Sequence, residues 1–363
     1  MNELENARKI INEADKKIAE LFEERMKAAE QIAKYKMAHG LSVLDTSRER
    51  ELIARNGEYI KDSVIREYYV RFLKETMSIS RDYQARLNDG MTVAYSGVPG
   101  AFAYIAAKRM FPYANLVSYS NFDDAYRAVE NGEADTAVLP IENSFAGDVG
   151  TVMDLLFSGS LYVNQVIDIG IEHNLIACDG ASLETVQRVV SHEQALAQCA
   201  EYIKARGYDQ IAYPNTAMAA KYVKELNDPT VAAVASEETA AIYGLKILAS
   251  KIHTSRTNTT RFASFSRAQH ELKKSSGKMN ESFILVFTVR NEAGALAKTL
   301  DIIGAHNFNM RNLRSRPMKE LMWSYYFFVE AEGNINSQDG RDMLRELSAT
   351  CDKLKLAGVF YSK

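Results

Sequence analysis

Cysteine is scarce in this sequence, and the few that occur form neither a disulfide framework nor a metal site. Cys178, Cys199 and Cys351 are odd in number and lack the spacing of metal ligands. Free thiols of this kind are typical of proteins in a reducing cytosol. The segment Met1–Ile10 is polar and has no signal-peptide core, so we expect a cytoplasmic protein.

Long apolar runs and a large excess of one charge are also missing. No apolar stretch approaches the roughly 20 residues that a membrane-spanning helix needs. A net charge of -3 gives no reason to expect nucleic acid or an anionic membrane as a partner. No motif suits a nicotinamide or a metal, so we expect a protein without a metal or an organic cofactor.

What is present is the composition of a soluble globular protein, with 47% hydrophobic and 25% charged residues among 363. The hydrophobic pattern changes twice along the chain, and it predicts three domains: residues 1–88, 91–267 and 282–363. The first domain is helical throughout, with breaks near His39-Gly40 and Asn56-Gly57.

The second predicted domain alternates strands and helices, which indicates an α/β fold with a largely parallel sheet. One of its predicted strands covers Ile171–Cys178. A polar segment at 267–281 is the predicted linker. The third domain then shows a βαββαβ order, which is typical of a ferredoxin-like fold.

A heptad pattern along the first helix is interrupted by a cation. Its apolar positions are Leu4, Ile11, Ile18 and Ile32, each followed three residues later by Ala7, Ala14, Leu21 and Tyr35, while Arg25 precedes Ala28. Removing one partner of a buried ion pair costs roughly 3–5 kcal/mol, so an inward Arg25 needs an anion. Arg25 therefore either fixes the register of a helical seam or binds a small anion in an internal pocket.

The length of the predicted first helix favours two intertwined copies. A helix of residues 3–38 is roughly 54 Å long, which exceeds the diameter of a compact domain of this size. Arg8 and Arg25 are roughly 26 Å apart along it, so they cannot hold one small ligand from the same helix. We therefore expect Arg8 to enter the pocket of a partner copy, while Lys36 leans toward Arg25 from the other side.

Further polar residues follow on the next two predicted helices. Asp45 is placed to cap the second helix, and Arg48 and Glu49 can turn inward from its first turn. Ser80 and Gln84 lie one turn apart on the third helix and can reach the same cavity.

This combination resembles the all-helical chorismate mutase family in residue type, order and spacing. The residues that carry the resemblance are Arg8, Arg25, Lys36, Asp45, Arg48, Glu49, Ser80 and Gln84. The resemblance implies that chorismate is rearranged to prephenate by conformational restraint and by charge near the breaking ether bond. By position, the substrate carboxylates fall to Arg8 of a partner copy, Arg25, Arg48 and Ser80. Lys36 and Gln84 face the ether oxygen, and Asp45 and Glu49 face the ring hydroxyl.

Polar clusters in the α/β segment fall at predicted strand ends, where such folds place their sites. They are the turn Gly97–Ala101, the stretch 140–144 (PIENS), Ser191-His192 with Gln198, and the stretch 258–262 (NTTRF). The turn has glycines and helix-start N–H groups that favour an anion, but a plain βα turn explains it equally. The NTTRF stretch alone is as consistent with the start of a surface strand.

Together these clusters resemble prephenate dehydratase. The resemblance implies two α/β lobes around a cleft, like bacterial solute-binding (periplasmic-binding) proteins, and conversion of prephenate to phenylpyruvate with loss of carbon dioxide and water. It ties Thr260 to the leaving hydroxyl, and Thr is too weak an acid to act without neighbours such as Glu142, Ser191 or His173. The implied positioning residues are Asn143, Ser191, Gln198 and Arg261. His173 is equally well explained as a core histidine.

The C-terminal segment resembles the ACT family of amino-acid-sensing domains. The implied effector residues are Gly294, Ala295, Leu296, Asn309, Arg314, Ser315, Arg316 and Pro317. In related dehydratases such segments bind phenylalanine between copies, and a helix N-terminus suits its carboxylate. Arg314 departs from the family's usual Glu-Ser-Arg-Pro and reverses the charge at that position. A dimerisation domain without a ligand is the alternative.

The whole chain thus resembles a bifunctional chorismate mutase/prephenate dehydratase, in which the first site makes the substrate of the second. The resemblance implies a homodimer or larger assembly, feedback inhibition by phenylalanine and no cofactor. Two alternatives remain open at this point. One is a ligand-binding regulatory protein without turnover, and the other is an active mutase with an inert α/β domain.

Overall fold

The computed structural model describes residues 2–39, 44–254, 257–270, 280–318 and 324–362. They form two compact units, Met1–Thr92 and Val93–Lys363. Gly40 of the first predicted break and most of the predicted linker lie outside the described residues. Within the described ranges, no helix combines the length and apolar character that a membrane crossing requires.

The first unit consists of helices α1 (Glu3–Ala38), α2 (Thr46–Gly57) and α3 (Ser63–Asp89), which confirms the predicted helical segment. Local signals set their ends. Asn2 and Glu5 form a capping box at the start of α1, and the side chains of Asp45 and Asp62 accept hydrogen bonds from the first turns of α2 and α3.

Helix α1 packs on α3 through a face that differs from the predicted seam. The buried residues of α1 are Ala29 and Ala33, while Ile32 and Tyr35 of the predicted seam are exposed. The expected heptad seam is therefore not the contact within this chain. Small residues at i and i+4 allow the backbone of α3 to approach closely, and this leaves the larger apolar side chains on the outside.

The second unit begins with strands and helices that alternate. They are β1 (Thr92–Ser96), α4 (Phe102–Met110), β2 (Asn115–Tyr119), α5 (Phe122–Glu130), β3 (Thr136–Asn143), β4 (Gly147–Asp148), α6 (Gly150–Ser158) and β5 (Tyr162–Gly170). The next elements are β6 (Asn174–Ala177), β7 (Arg188–Ser191), α7 (Glu193–Gln198), α8 (Ala200–Arg206), β8 (Asp209–Ala212), α9 (Thr216–Leu226), β9 (Val231–Ala235), α10 (Glu237–Tyr243) and β10 (Lys246–Ala249). Strand β11 (Thr259–Ser266) then returns to the first group.

The expectation of one largely parallel sheet is wrong. In the first lobe, β11 lies between β3 and β5 and runs antiparallel to both, while β1 pairs with β3 in parallel. The second lobe has a separate sheet in the order β10-β6-β9-β7-β8. The chain leaves the first sheet after β5, builds the second lobe and re-enters as β11, so the re-entering strand has the opposite direction.

The predicted strand Ile171–Cys178 is shorter in the structure, because only Asn174–Ala177 pairs as β6. Its first residues form one crossover between the lobes, and the described residues between β10 and β11 belong to the other. The two crossovers bond to each other, since Ile171 N donates to Asn258 O at 2.8 Å and Ile252 N donates to His173 O at 2.9 Å.

The C-terminal segment confirms the predicted βαββαβ order. Its elements are β12 (Asn280–Thr288), α11 (Ala295–Ala305), β13 (Asn309–Pro317), β14 (Tyr325–Glu332), α12 (Gln338–Thr350) and β15 (Lys353–Ser362). Strand β15 meets β5 at Gly358 and Val163, which joins this sheet to that of the first lobe. A Cβ at Gly358 would collide with the carbonyl oxygen of Val163, so glycine permits this junction.

Candidate active sites

The helical unit places a cation against a buried hydroxyl, and a buried amide lies one turn further along α3. These three residues are here called the Arg25 cluster (Arg25, Ser80 and Gln84). Arg25 Nη1 donates to Ser80 Oγ and to Thr76 O, the latter at 3.3 Å. Gln84 Nε2 donates to Ser80 O at 3.1 Å, and its Oε1 is buried with no partner among the described residues. Burial lowers the pKa of Arg25. The predicted inward orientation of Arg25 is confirmed.

The start of α2 carries three further predicted site residues, Asp45, Arg48 and Glu49. Asp45 accepts hydrogen bonds from Arg48 N at 3.0 Å and Ser47 Oγ at 2.8 Å, and these bonds, with the charge of Lys36, lower the pKa of Asp45. Its predicted capping role is confirmed. Glu49 is half-buried and pairs with Arg81 of α3.

Arg48 does not turn inward as expected. Its guanidinium pairs with Glu51 at 3.0 Å on the exposed side of α2. The two residues are one turn apart on the helix, so Arg48 can form this pair within its own helix and needs no partner in the interior.

Arg8 lies on the exposed first half of α1, at a distance from the Arg25 cluster that helix geometry sets at roughly 26 Å. The same half of the helix exposes large apolar side chains, among them Ile11, Ile18 and Leu21. A single chain therefore leaves an apolar stripe and a cation together on one uncovered helix surface.

In the second unit, strands β3 and β11, the crossovers and α7 bring together the Thr260 cluster (Asn143, His173, Gln198, Asn258 and Thr260). Thr260 pairs with Asn143 in the β-ladder, and Asn143 Nδ2 donates to the buried Thr260 Oγ1 at 2.8 Å. Asn143 Nδ2 also donates to Asn258 Oδ1 at 2.9 Å. Asn143 and Thr260 are 117 positions apart in the sequence, and they meet because β11 re-enters beside β3.

The second lobe and the crossovers supply the rest of the cluster. Gln198 Oε1, at the end of α7, lies 2.9 Å from Asn258 Nδ2 and 2.9 Å from His173 Nε2. His173 lies in the crossover rather than on the predicted strand, and burial lowers its pKa to about 4. Asn258 received no role from the sequence, although it lies only two residues before Thr260.

Ser191 takes a different place from the one expected. It is buried at the end of β7, and its Oγ donates to Val234 O at 2.7 Å within the second lobe. The expectation that Ser191 polarises Thr260 therefore has no direct contact to support it. The hydroxyl instead ties β7 to β9 at the base of the helix that carries Gln198.

Glu142 and Arg261 are also corrected, because both lie on the sheet face opposite Thr260. Successive strand side chains alternate between faces, so the neighbours of Asn143 and Thr260 point away from them. Arg261 binds Glu330 through two hydrogen bonds of 2.8 and 3.0 Å, and Glu142 pairs with Arg314. Neither side chain reaches Thr260, and both connect the first lobe to the C-terminal segment.

Replacing Glu330 tests this structural assignment of Arg261. Burial alone would lower the pKa of Arg261, but its bonds with Glu330 raise it overall, and the Glu330 side chain is only 4% exposed. Among the described residues, breaking such a buried pair leaves Arg261 with only the more exposed Asp168, 3.5 Å from its Nε, so we expect Glu330→Gln to lower the free energy of unfolding by about 3 kcal/mol. Urea unfolding followed by circular dichroism measures the change. Glu332→Gln, which breaks a more exposed pair with Arg311, is the control and should destabilise the protein much less, because solvent screens an exposed pair. Equal losses would contradict a structural role for Arg261.

The predicted turn Gly97–Ala101 connects the two lobes. Gly100 O accepts from Thr239 Oγ1 at 2.7 Å, and Pro99 O accepts from Tyr243 OH at 2.8 Å. Both donors belong to α10 of the second lobe. The turn thus packs the lobes together, and its positive φ at Gly97 and Gly100 explains the glycines.

The predicted effector segments lie at the start of α11 and along the edge strand β13. Gly294 caps α11 with φ of 83°, followed by Ala295 and a half-buried Leu296. Asn309, Ser315 and Pro317 are exposed on β13, whereas Arg316 pairs with Asp154 at 3.2 Å and Arg314 pairs with Glu142 and Asp148. A cavity of about 970 Å³ is lined by both Leu296 and Pro317.

Comparisons with known proteins match both units. Residues 7–85 match the family model of chorismate mutase type II, and residues 93–270 match that of prephenate dehydratase. The bifunctional chorismate mutase/prephenate dehydratase of Neisseria gonorrhoeae (strain ATCC 700825 / FA 1090) is 33% identical over 97% of this chain and 95% of its own length.

Solved structures resemble the second unit. The prephenate dehydratase of Arthrobacter aurescens in complex with L-Phe is 26% identical, with a TM-score of 0.69 over 75% of this chain and 90% of that chain. GqqA, described as a novel type of quorum quenching acylase, is 30% identical, with a TM-score of 0.69 over 75% of this chain and 98% of that chain.

Proposed function

The chain belongs to the family of bifunctional chorismate mutases/prephenate dehydratases, and we propose that its two active sites are the Arg25 cluster and the Thr260 cluster. It is an enzyme that rearranges chorismate to prephenate and converts prephenate to phenylpyruvate. The observation that carries the site assignment is the buried Thr260 hydroxyl, which Asn143 holds at 2.8 Å between the two lobes' polar side chains.

The proposed domains are a helical mutase domain (1–88), a dehydratase domain (91–267) and an ACT domain (282–363). Two separate sheets joined by two crossovers support a two-lobed dehydratase domain of the solute-binding type. The βαββαβ order supports the ACT assignment.

The mutase step needs no nucleophile or proton transfer, so its residues act through charge and restraint. Arg25 with Ser80 binds one carboxylate, and Arg8 of a partner copy supplies further positive charge. Lys36 and Gln84 address the ether oxygen, where negative charge develops. The remaining proposed contacts are those of Asp45 and Glu49 with the ring hydroxyl and that of Arg48 with a carboxylate. Arg48 reaches the ligand only after it releases Glu51.

The dehydratase step loses carbon dioxide and hydroxide while the ring becomes aromatic. The electron pair of the breaking carbon–carboxylate bond enters the ring, and the carbon–oxygen bond opposite breaks as hydroxide departs. Aromatisation supplies much of the driving force, so the protein mainly assists the leaving group. Thr260 donates a hydrogen bond to the departing oxygen, and Asn143 and Gln198 position the substrate.

The position of Arg8 predicts that the mutase site is complete only in a dimer. Its distance from the Arg25 cluster of its own chain and the apolar stripe beside it support an intertwined pair. In a mixture of Arg8→Ala and Arg25→Ala proteins, only heterodimers contain one intact site, so we expect activity to return to about a quarter of wild type. Each variant alone should be nearly inactive in chorismate consumption after the same denaturation and refolding.

The control for this mixing experiment is Arg25→Ala mixed with Lys27→Ala, in which Lys27 is exposed and pairs with Glu23. This mixture retains wild-type Arg8 in both chains, so its activity follows the Lys27→Ala homodimers and the one intact site of each heterodimer. If the mixture of Arg8→Ala and Arg25→Ala consumes chorismate no faster than the two variants do separately, the shared site is contradicted.

We propose phenylalanine as the effector, bound by the segments at Gly294–Leu296 and Arg314–Pro317 between copies. A relative of the same fold has L-Phe bound, and the outer edge of β13 lies at the end of the sheet order. Arg314 contacts Glu142 and Asp148 on the hairpin that carries Asn143, so this pairing links the effector strand to the dehydratase site.

Accordingly, Arg314→Ala should raise the phenylalanine concentration for half-inhibition by about 5-fold or more, a typical size for coupling between two sites. Phenylpyruvate formation from prephenate, followed across a phenylalanine titration, measures the effect. Arg311→Ala on the same strand is the control, since Arg311 pairs with Glu332 and not with the first lobe. Equal sensitivity of both variants would rule out this route of coupling.

A chorismate-fed assay that follows prephenate and phenylpyruvate together tests the function as a whole. Appearance of both products in sequence supports two working sites. Prephenate without phenylpyruvate would indicate an inert dehydratase domain, and no consumption of either substrate would favour a binding protein. Because the acylase-like relative shares the second unit's fold, phenylpyruvate itself is the decisive readout.

A further inference from the structure

A chain of side-chain amides crosses from the second lobe to Thr260, and Asn258 is its middle link. Asn258 is 8% exposed and lies in the crossover that returns the chain to the first lobe. Its Oδ1 is 2.9 Å from Asn143 Nδ2, and its Nδ2 is 2.9 Å from Gln198 Oε1. Asn258 therefore connects Asn143 of the first lobe to Gln198 of the second lobe. Among the described contacts, no other side chain links Gln198 to the Thr260 hydroxyl.

The backbone fixes the orientation of the first amide in this chain. Phe145 N and Ala146 N lie 3.0 and 2.8 Å from Asn143 Oδ1. A backbone N–H only donates, so the oxygen of Asn143 must face these two groups and its nitrogen must face Thr260 and Asn258. Asn143 is consequently a donor to both of them.

This orientation dictates every further link. Asn258 accepts from Asn143 through Oδ1, so its own N–H groups face Gln198, which must present Oε1. That oxygen lies 2.9 Å from His173 Nε2, so this ring nitrogen carries the proton. Nδ1 of His173 is then unprotonated, and it is buried with no partner among the described residues.

The same direction of donation determines what Thr260 can do. Thr260 Oγ1 accepts from Asn143, so its hydroxyl hydrogen is not used in that bond. Within the described ranges this hydrogen meets no acceptor. The hydrogen is therefore available to a ligand. A departing hydroxide needs such a hydrogen-bond donor beside it.

We propose that Asn258 is a positioning residue for the dehydratase reaction, because it joins Gln198 to Asn143 and so keeps the Thr260 hydroxyl as a donor to the leaving group. This inference rests on the proposed role of Thr260. It adds a residue that does not touch the reacting atoms but holds Asn143 and Gln198 in place on either side of the cleft. It also makes the relative position of the two lobes part of the catalytic arrangement.

The test is Asn258→Asp in the full-length enzyme. The variant keeps an oxygen for Asn143 but replaces the donor to Gln198 with a second oxygen, which repels Gln198 Oε1. We expect kcat for phenylpyruvate formation to fall by about 10- to 100-fold, with a smaller change in KM. As the pH falls from about 8 to 5 and the buried carboxyl gains a proton, it becomes a donor again, so kcat relative to wild type should rise.

Two further variants keep the test decisive. Asn258→Ala removes the link without burying a charge and should lose activity at every pH. Asn174→Asp alters a buried amide at the start of β6, whose Oδ1 accepts from Lys251 N at 2.8 Å, and should keep most of the dehydratase activity. Chorismate consumption by the same samples should be unchanged, which confirms the amount of folded protein.

The proposal is overturned if Asn258→Ala retains wild-type kcat while folded. It is also overturned if Asn258→Asp and Asn174→Asp lose activity equally with the same pH profile, because that pattern indicates a purely structural role. A wild-type enzyme that makes no phenylpyruvate would instead contradict the proposed function, so the two failures are distinguishable.

Discussion

Thr260→Val is expected to stop the second reaction while the first continues. The substitution keeps the shape of the side chain and removes the hydroxyl that Asn143 holds at 2.8 Å. Loss of one preorganised donor to a leaving group costs about 10²- to 10³-fold in kcat. In an assay fed with chorismate, prephenate should therefore accumulate while phenylpyruvate forms slowly. Thr260→Ser should retain a large part of the activity because it restores the hydroxyl.

Thr259→Val is the matched control for this prediction. Thr259 is the preceding residue of β11, so its side chain lies on the opposite face of the sheet from Thr260. The same chemical change there should leave kcat within about 2-fold of wild type and alter mainly stability. If Thr260→Val turns prephenate over at the wild-type rate, the assignment of Thr260 to the leaving group is wrong.

The converse result is expected from Arg25→Ala. This change removes the guanidinium that contacts Ser80 and leaves a substrate carboxylate without a countercharge in a partly buried pocket. We expect chorismate consumption to fall by about 10³-fold, while phenylpyruvate formation from added prephenate stays at the wild-type level. Arg25→Lys should recover only part of the loss, because an ammonium lacks the planar fork of donors.

Lys27→Ala controls for charge on the same helix. Lys27 lies two residues further along α1, is exposed and pairs with Glu23 at 2.8 Å, so its removal should not change mutase turnover. A mutase that tolerates Arg25→Ala would show that Arg25 only sets helix packing, as the alternative interpretation of the sequence holds. Independent loss of the two activities in the Arg25 and Thr260 variants would establish two separate sites.

Much of the helical site follows from the sequence because its signals are local. The long first helix, the cap at Asp45 and the one-turn spacing of Ser80 and Gln84 depend on neighbours within a few residues. The heptad interruption at Arg25 also identified an inward cation correctly. The predicted direction of Arg48 was wrong, because Glu51, three residues further along the same helix, pairs with it on the exposed side.

Less of the second site was predictable, because strand alternation gives two faces without saying which one meets the cleft. The structure brings Asn143 and Thr260 together, but their neighbours Glu142 and Arg261 lie on the other face of the sheet. In each pair of adjacent residues, one side chain lies on the face of the Thr260 cluster and the other lies on the face that binds the C-terminal segment. Nothing in a single strand's pattern separates these two faces when both are half-buried or buried.

The amino-acid sequence by itself determined the element types, the order of the domains and the chemical groups available, since periodicity, caps and turns act over short distances. Only the tertiary structure decided that β11 returns between β3 and β5, which places Thr260 against Asn143. It also decided that Asn258 bridges the lobes and in which direction each amide donates. Those facts depend on pairing between residues from 60 to 117 positions apart, and local propensity carries no information about such pairing.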